Sequence, residues 1–486
     1  MDRTKNRATA ALIIAAGAGA RLQTVTGSVP KPLMKLCGVP LIKRIILTAN
    51  RAGITRFVIV TGYEADRFHV ALSGDPSLDD CHIDWVHNHH WNMPNGVSAL
   101  AARPHLDEPF VLFMADHLFD KKTVEQLVEE PIQEGECLLA IDRKIQSVYD
   151  LNDATKVDVR EDRVVQIDKE LQEYNAIDTG MFLCTPALFD ALDTVNGSEG
   201  CSLSDGIREL AREGRMRVFD IGEGFWQDVD TPEMLAHGEK TLLRRLTKPT
   251  DGWVSRYFNR PISTRISRWL VKTPITPNMV TLVTFFSGLL GAWFVFDATY
   301  WMVLLGALFF QFSSILDGCD GEVAVLTFRD SKYGSWLDTI TDNLTYLAFF
   351  FAVVWAYTES SDFSLIRFVG IGSVMVVAAS IIVMYYYLQQ TGGSGSLVRF
   401  NQAFQQHAFG RRHTVVIRLM NLLRMMCKRD FFTMVLLFLA MLGLLEWMFW
   451  TVTVGGLGMG IAIFISTSRL LSRERTGEQK NEDMGT

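Results

Sequence analysis

No Cys-x-x-Cys pair occurs in this sequence, and its seven cysteines, at positions 37, 81, 137, 184, 201, 319 and 427, are scattered. That spacing argues against structural zinc and against a disulfide framework. A basic excess is also lacking: the formal net charge is -7. Nucleic acid is thereby disfavoured as the main partner, because binding a phosphate backbone needs a basic face. Small anionic substrates, held by a few local lysines and arginines, stay open.

What is there changes along the chain. A length of 486 residues exceeds one ordinary domain. Residues 1 to about 250 mix charges and hydrophobics as an α/β protein does, whereas long apolar runs recur from about Met279. The expectation is an α/β, Rossmann-like domain over 1–248 and an all-α polytopic membrane domain over 249–486. The opening MDRTKNR-ATAALIIAAGAGA has the charged front and short apolar stretch of a signal peptide. It runs straight into Arg21 and Pro30-Lys31-Pro32, so it reads better as a strand and a loop.

Six apolar segments can be marked, at about 279–296, 301–321, 335–357, 366–388, 431–449 and 452–468. Several approach the roughly 20 residues that cross a bilayer, so six spans are expected. Basic residues set the orientation. They crowd before the first segment (Arg256, Arg260, Arg265, Arg268, Lys272), between the fourth and fifth (Arg399 to Arg429) and in the tail (Arg469 to Lys480). The 297–300 and 358–365 loops carry none. Both termini and both active sites are therefore expected on the cytoplasmic side.

The second and third segments hold Asp317-Gly-Cys-Asp320-Gly321-Glu-Val-Ala324, then, after Val325 and eight more residues, Gly334-x-x-x-Asp338-x-x-x-Asp342. Spacings of three and four put each acidic pair on one helix face. Four carboxylates together repel unless cations neutralise them, and hard divalent ions such as Mg2+ or Mn2+ suit oxygen ligands and also grip a pyrophosphate. A structural polar patch or an ion pathway in a transporter is the competing reading. Transporter sites usually lie at midplane, whereas Trp301 to Leu316 rises about 24 Å as a helix, which puts these acids near the cytoplasmic end. Gly321 and Gly334 allow close approach of a substrate or a neighbouring helix.

This spacing resembles the signature of the CDP-alcohol phosphatidyltransferase family, Asp-x-x-Asp-Gly-x-x-Ala-Arg, eight residues, Gly-x-x-x-Asp-x-x-x-Asp, over about 255–470. The resemblance implies that Asp317, Asp320 and Asp338 bind metal and the CDP diphosphate. Asp342 would be the base that deprotonates the acceptor hydroxyl and would touch metal too. It also suggests a homodimer through the membrane helices. One position departs: the signature's arginine is Val325 here, with Arg329 one helical turn further on. Lys428 and Arg429, just before the fifth segment, are candidates for an acceptor phosphate, with ordinary positive-inside anchoring as the competing account.

Near the start, Ala11-Leu-Ile-Ile-Ala15 reads as a buried strand, followed by a glycine-rich turn at Gly17 and Gly19 whose N–H groups can face phosphates. Pro30-Lys31-Pro32-Leu33 comes nine residues past Arg21, and a dinucleotide-binding fold gives no reason for this second, proline-braced lysine. Lys31 and Arg21 can neutralise a triphosphate. These motifs resemble the sugar-phosphate nucleotidyltransferase family over about 10–245. The resemblance implies catalytic roles for Arg21 and Lys31, metal ligation by Asp116 and Asp228, with Asp230 a further acid, and base recognition around Asn88, Asn95 and Gly96.

One half that makes an NDP-alcohol and another that consumes a CDP-alcohol make CTP the economical nucleotide. Asp142, Lys156, Lys169 and Asp178 lie in stretches similar to the family in which inositol-1-phosphate cytidylyltransferases are fused to CDP-alcohol transferases. That resemblance implies inositol 1-phosphate as substrate, with Lys156 and Lys169 on its phosphate and Asp142 or Asp178 on its hydroxyls. Phosphocholine or phosphoethanolamine is the second reading, and Tyr63, Trp85 and Trp91 could build an aromatic cage for choline. A membrane-anchored nucleotide sensor with an inactive transferase is a third, motivated by Val325.

Overall fold

The computed structural model describes residues 7–19, 29–247, 251–359, 364–390, 429–458 and 460–461. It divides into two units, Met1–Leu242 and Leu243–Thr486.

Nine strands form the main sheet of the first unit: β1 Ala10–Ala15, β2 Arg56–Thr61, β3 His82–His87, β4 Phe110–Met114, β5 Cys137–Asp142, β6 Lys156–Arg160, β7 Arg163–Asp168, β8 Ala176–Cys184 and β9 Met216–Asp220. Their spatial order is β3-β2-β1-β4-β8-β5-β9-β7-β6. β3, β2, β1 and β4 run parallel, and β8 lies antiparallel to β4 and β5. A parallel strand covered on both faces has no solvent side. The apolar run of β1 accordingly has all six residues buried.

Pairing Ile14 with Met114 sets the C-terminal ends of β1 and β4 side by side, the edge at which open α/β sheets bind ligands. Helix α1, Leu41–Arg51, buries Leu41, Ile42, Ile45, Ile46 and Ala49, a helical stripe facing the core. Two more helices bear on the site: α2, Asn95–Ala101, and α3, Leu203–Arg212. A capping box fixes the start of α3, with Ser202 and Asp205 satisfying each other's backbone N–H.

In the second unit the helices are α4 Arg260–Leu270, α5 Pro277–Val295, α6 Tyr300–Thr327, α7 Lys332–Glu359, α8 Ser364–Gln390 and α9 Arg429–Met441. Four of the described helices, α5, α6, α7 and the Leu365–Tyr386 stretch of α8, are long and apolar enough to cross a bilayer. The fifth apolar segment, expected as one span over 431–449, is broken. α9 stops at Met441, Gly443 takes φ +69°, and a new helix starts at 445. A residue in the left-handed region ends a helix whatever the hydropathy around it, so hydropathy alone misplaced this boundary. The expected sixth segment, 452–468, thus begins within the helix that starts at 445, and its part beyond 461 lies outside the described residues.

Small residues let the spans pack closely. A Cβ on Gly306 of α6 would sit 2.5 Å from the Gly291 carbonyl of α5, and Gly288 abuts Thr345 of α7. Phe310 stacks on Phe349 with centroids 3.9 Å apart. Helix α4 is tied to α6 through buried Glu322, which accepts from Arg260, Ser263 and Ser267 at 2.6 Å each.

Candidate active sites

The first site is built where β1 and β4 end. Gly19 has φ +61°, and a Cβ there would lie 2.6 Å from Lys31 Cβ. The glycine-rich turn therefore rests on the lysine side chain, and only glycine fits. Lys31 opens a short 3-10 turn held by Pro30 and Pro32. Its Nζ donates to Asp116 Oδ2 at 2.6 Å and also to Asp230.

Asp116 follows β4, and its other oxygen, Oδ1, lies 2.6 Å from His117 Nδ1. Burial pushes the Asp116 carboxyl up, but Lys31 and His117 outweigh it and hold it well below the usual carboxylate range. Burial likewise lowers His117, and Asp116 more than reverses this, so its imidazole is held above its ordinary value. A ribbon of His117–Phe119 with Trp226–Asp228 sets Asp228 opposite His117. Burial raises the Asp228 carboxyl, with His117 opposing. Oxygen ligands of this kind suit a hard divalent cation.

His117 also organises a second layer that sequence reasoning missed. Its ring stacks on Trp226 with centroids 6.0 Å apart, and Trp226 Nε1 donates to Asp142 Oδ2 at 2.9 Å. Gly180, at φ +72°, leaves room for the imidazole: a Cβ would meet His117 Cδ2 at 2.6 Å. Asp178 Oδ1 accepts from Gly180 N at 2.8 Å, and burial pushes its carboxyl up to about 6. Asp142 and Asp178 are thus gathered around the Asp116–His117 pair. The signal for His117 was its place directly after Asp116.

Other expected residues have structural partners. Lys156 Nζ donates to the Lys169 carbonyl at 2.6 Å, and Lys169 pairs with Asp153 at 2.8 Å. Asn95 Oδ1 accepts from Leu203 N at 2.8 Å, and a Cβ on Gly96 would meet Cys201 O at 2.5 Å, so this pair seats α2 against the start of α3. Asn88 Nδ2 donates to Ser98 Oγ at 2.9 Å in a buried position. Gly17 has open space where a Cβ would stand. Tyr63, Trp85 and Trp91 line one cavity of about 710 Å³ with His69 and His87. Arg21 and Lys428 lie outside the described residues.

The second site lies in the membrane unit. Carboxylate oxygens of Asp317, Asp320 and Asp338 all come within 4.8 Å of one another. Thr281 of α5 donates to Asp320 Oδ2 at 2.7 Å, fixing that carboxylate. Asp338 Oδ1 is buried with no hydrogen-bond partner among the described residues, as an oxygen waiting for a cation would be. Three hard oxygen donors at this separation fit a divalent metal. Asp342 stands apart from the trio. Arg429 Nη1 bridges it to Asp317, 2.7 Å from Asp317 Oδ1, with its guanidinium over the Tyr346 ring at 5.1 Å. A cavity of about 220 Å³ opens beside the acids, lined among others by Asn278, Asp320, Gly321, Gly334 and Asp338.

Comparison with known proteins agrees with both halves. Residues 11–203 match the MobA-like NTP transferase domain, and residues 274–456 match CDP-alcohol phosphatidyltransferase. A bifunctional IPC transferase and DIPP synthase from Aquifex aeolicus is 34% identical over 75% of this chain and 82% of its own length. One of the same description from Archaeoglobus fulgidus is 34% identical over 75% of this chain and 69% of its own. Among solved structures, the inositol-1-phosphate CTP transferase from T. maritima covers 48% of this chain and 95% of its own, with 26% identity and a TM-score of 0.45. With a nucleotidyltransferase site and an aspartate-lined transferase site on one chain, and relatives matched across both, the chain belongs to the family of bifunctional IPC transferases and DIPP synthases.

Proposed function

We propose that residues 1–248 convert CTP and inositol 1-phosphate to CDP-inositol and PPi. Residues 249–486 then transfer the phosphoinositol group to a second inositol 1-phosphate and release CMP. The observation that carries this reading is the presence of two separate acidic sites on one chain, the first built around Lys31 and the second around Asp317, Asp320 and Asp338. The names of the relatives select inositol phosphate as the alcohol.

In the first reaction a phosphate oxygen of inositol 1-phosphate attacks the α-phosphorus of CTP, and the bond to PPi breaks. Gly17 and Gly19 offer N–H groups to the triphosphate, and Lys31, with Arg21, balances its charge as the five-coordinate phosphorus forms. Asp142 and Asp178 take the inositol hydroxyls, Lys156 and Lys169 its phosphate, and Asn88, Asn95 and Gly96 the cytosine. A divalent cation, Mg2+ or Mn2+, held by Asp116 and Asp228 would add positive charge at the phosphates.

In the second reaction an acceptor hydroxyl attacks the inositol-side phosphorus of CDP-inositol, the bond to CMP breaks, and the hydroxyl proton passes to Asp342. The product is a phosphodiester-linked inositol pair that keeps one phosphate. Asp317, Asp320 and Asp338 would hold the cation that neutralises the diphosphate, with Asp342 near it. Gly321 and Gly334 let the nucleotide approach the helix backbones, and Arg429, with Lys428, holds the acceptor phosphate. We assign the second domain to a lipid bilayer, with six spans, cytoplasmic termini and active sites, and a homodimer formed through the membrane helices.

Mass spectrometry after incubation with CTP, Mg2+ and a panel of inositol 1-phosphate, phosphocholine and phosphoethanolamine tests this reading. CDP-inositol and a phosphorylated inositol pair should form. CDP-choline as the dominant product would replace inositol with choline, and nucleotide binding without PPi or CMP release would make the chain a sensor.

A further inference from the structure

The cavity beside the three aspartates has a second feature. Val325 and Arg329 both line it. Position 325, where the resembled signature carries arginine, is aliphatic and 54% exposed, so it brings no charge to a wall that also holds Asp320, Asp330 and Asp338. Among the described residues of that lining, Arg329 is the cationic one.

Arg329 does not reach the cavity by continuation of the helix. α6 ends at Thr327, and Phe328 turns into the left-handed region at φ +58°. Phe328 N donates to Val325 O at 3.4 Å and Arg329 N to Ala324 O at 2.9 Å. This is the paired hydrogen bonding of a Schellman cap, and it folds the chain back over its own last turn, returning Arg329 to the level of Ala324 and Val325. A non-glycine residue is uncommon in that conformation, which marks the turn as specified. Its other end is pinned as well: Ser331 Oγ accepts from Gly334 N at 2.9 Å and Ser331 O from Ser335 N at 3.1 Å, capping α7. Arg329 is thus carried on a short turn capped at both ends.

We propose that Arg329 supplies from this turn the positive charge that Val325 lacks, and that its guanidinium binds the diphosphate of the CDP-alcohol. A guanidinium offers a planar fork of donors matched to phosphate oxygens. The caps fix the backbone from which the exposed Arg329 side chain reaches the cavity. The inference rests on the transferase reading of this cavity.

The test uses the full chain in detergent, with supplied CDP-inositol, inositol 1-phosphate and Mg2+, reading CMP release. Arg329→Ala should raise KM for CDP-inositol roughly 10- to 100-fold, the loss of one charge-assisted contact, while PPi release from CTP stays at the wild-type rate. Arg329→Gln, which keeps length and polarity without charge, should show the same rise, and Arg329→Lys a smaller one. Val325→Arg added to Arg329→Ala should recover most of the loss. Wild-type KM in both uncharged variants, or a double variant no better than Arg329→Ala alone, overturns the proposal. A wild-type protein that releases no CMP from CDP-inositol would instead overturn the transferase reading beneath it.

Discussion

Lys31 Nζ donates to Asp116 Oδ2 at 2.6 Å, joining two residues 85 apart in sequence, one on the 3-10 turn Lys31–Leu33 and the other just past the end of β4. Burial alone would lower the proton affinity of this ammonium. Asp116 and Asp230 more than restore it, so its pKa is raised and the charge persists at neutral pH. A charged lysine already fixed in place needs no reorganisation when phosphate charge develops beside it.

Lys31→Ala, and separately Asp116→Asn, should therefore lower PPi release from CTP by about 10²- to 10³-fold. Transfer from supplied CDP-inositol should continue unchanged, because the second site draws its acids from other helices. Loss of both activities in a variant that still elutes as folded protein would count against independent sites.

Gly180→Ala should act through His117. The new Cβ would lie 2.6 Å from the imidazole at a backbone φ of +72°, so the ring must shift from its place beside Asp116 and Trp226 or the strand must deform. A stability loss of about 1–2 kcal/mol is expected from the backbone conformation alone, together with slower PPi release. Gly17→Ala is the contrast, since nothing lies within 4 Å of its added Cβ. It should leave the melting temperature in place and raise KM for CTP by crowding the phosphates. Equal melting temperatures for both variants would refute the distinction.

These glycines also show what a sequence can reveal. Gly17, Gly19, Lys31 and the four aspartates were legible because each sits in a local pattern: a turn after an apolar strand, a proline-braced lysine, acids three or four apart on one helix face. The all-buried pattern of β1 and the long apolar helices were legible for the same reason. What stayed hidden depends on packing between distant segments. Thr281 reaches Asp320 across 39 residues, and Arg429 reaches Asp342 across 87. Lys156 meets the Lys169 carbonyl and the Tyr174 ring, and the Lys169 ammonium pairs with Asp153, which no spacing rule announces. The helix break at Gly443 was masked by the apolar residues around it.

Asp178 gives stability a pH dependence of definite sign. Burial raises its carboxyl to about 6, partly opposed by the Gly180 N–H and by His117. The folded protein then holds this proton more tightly than the unfolded chain, whose aspartates titrate near 3.9. Between about pH 4 and 6 the folded state therefore loses stability as pH rises, by at most about 3 kcal/mol from this group, and the loss levels off above. Asp178→Asn removes the titration. Its melting temperature relative to wild type should climb from pH 4 to pH 6 and then stay constant, and a difference that is flat across that window would show that Asp178 ionises normally.

The second site separates binding from chemistry through two aspartates that share Arg429. Asp317 belongs to the trio whose oxygens lie within 4.8 Å of one another, whereas Asp342 stands outside it and meets the same guanidinium from α7. Asp342→Asn keeps the shape and removes the proton acceptor. CDP-inositol should still bind, and CMP release should fall about 10²- to 10⁴-fold, the range for a positioned general base. Asp317→Asn removes a charged oxygen from the trio, so the dissociation constant for CDP-inositol should rise when Mg2+ is present and change little when it is absent. Calorimetry with and without Mg2+, paired with CMP release, distinguishes the two. If both variants bind normally and release CMP at the wild-type rate, these aspartates do not form the transferase centre.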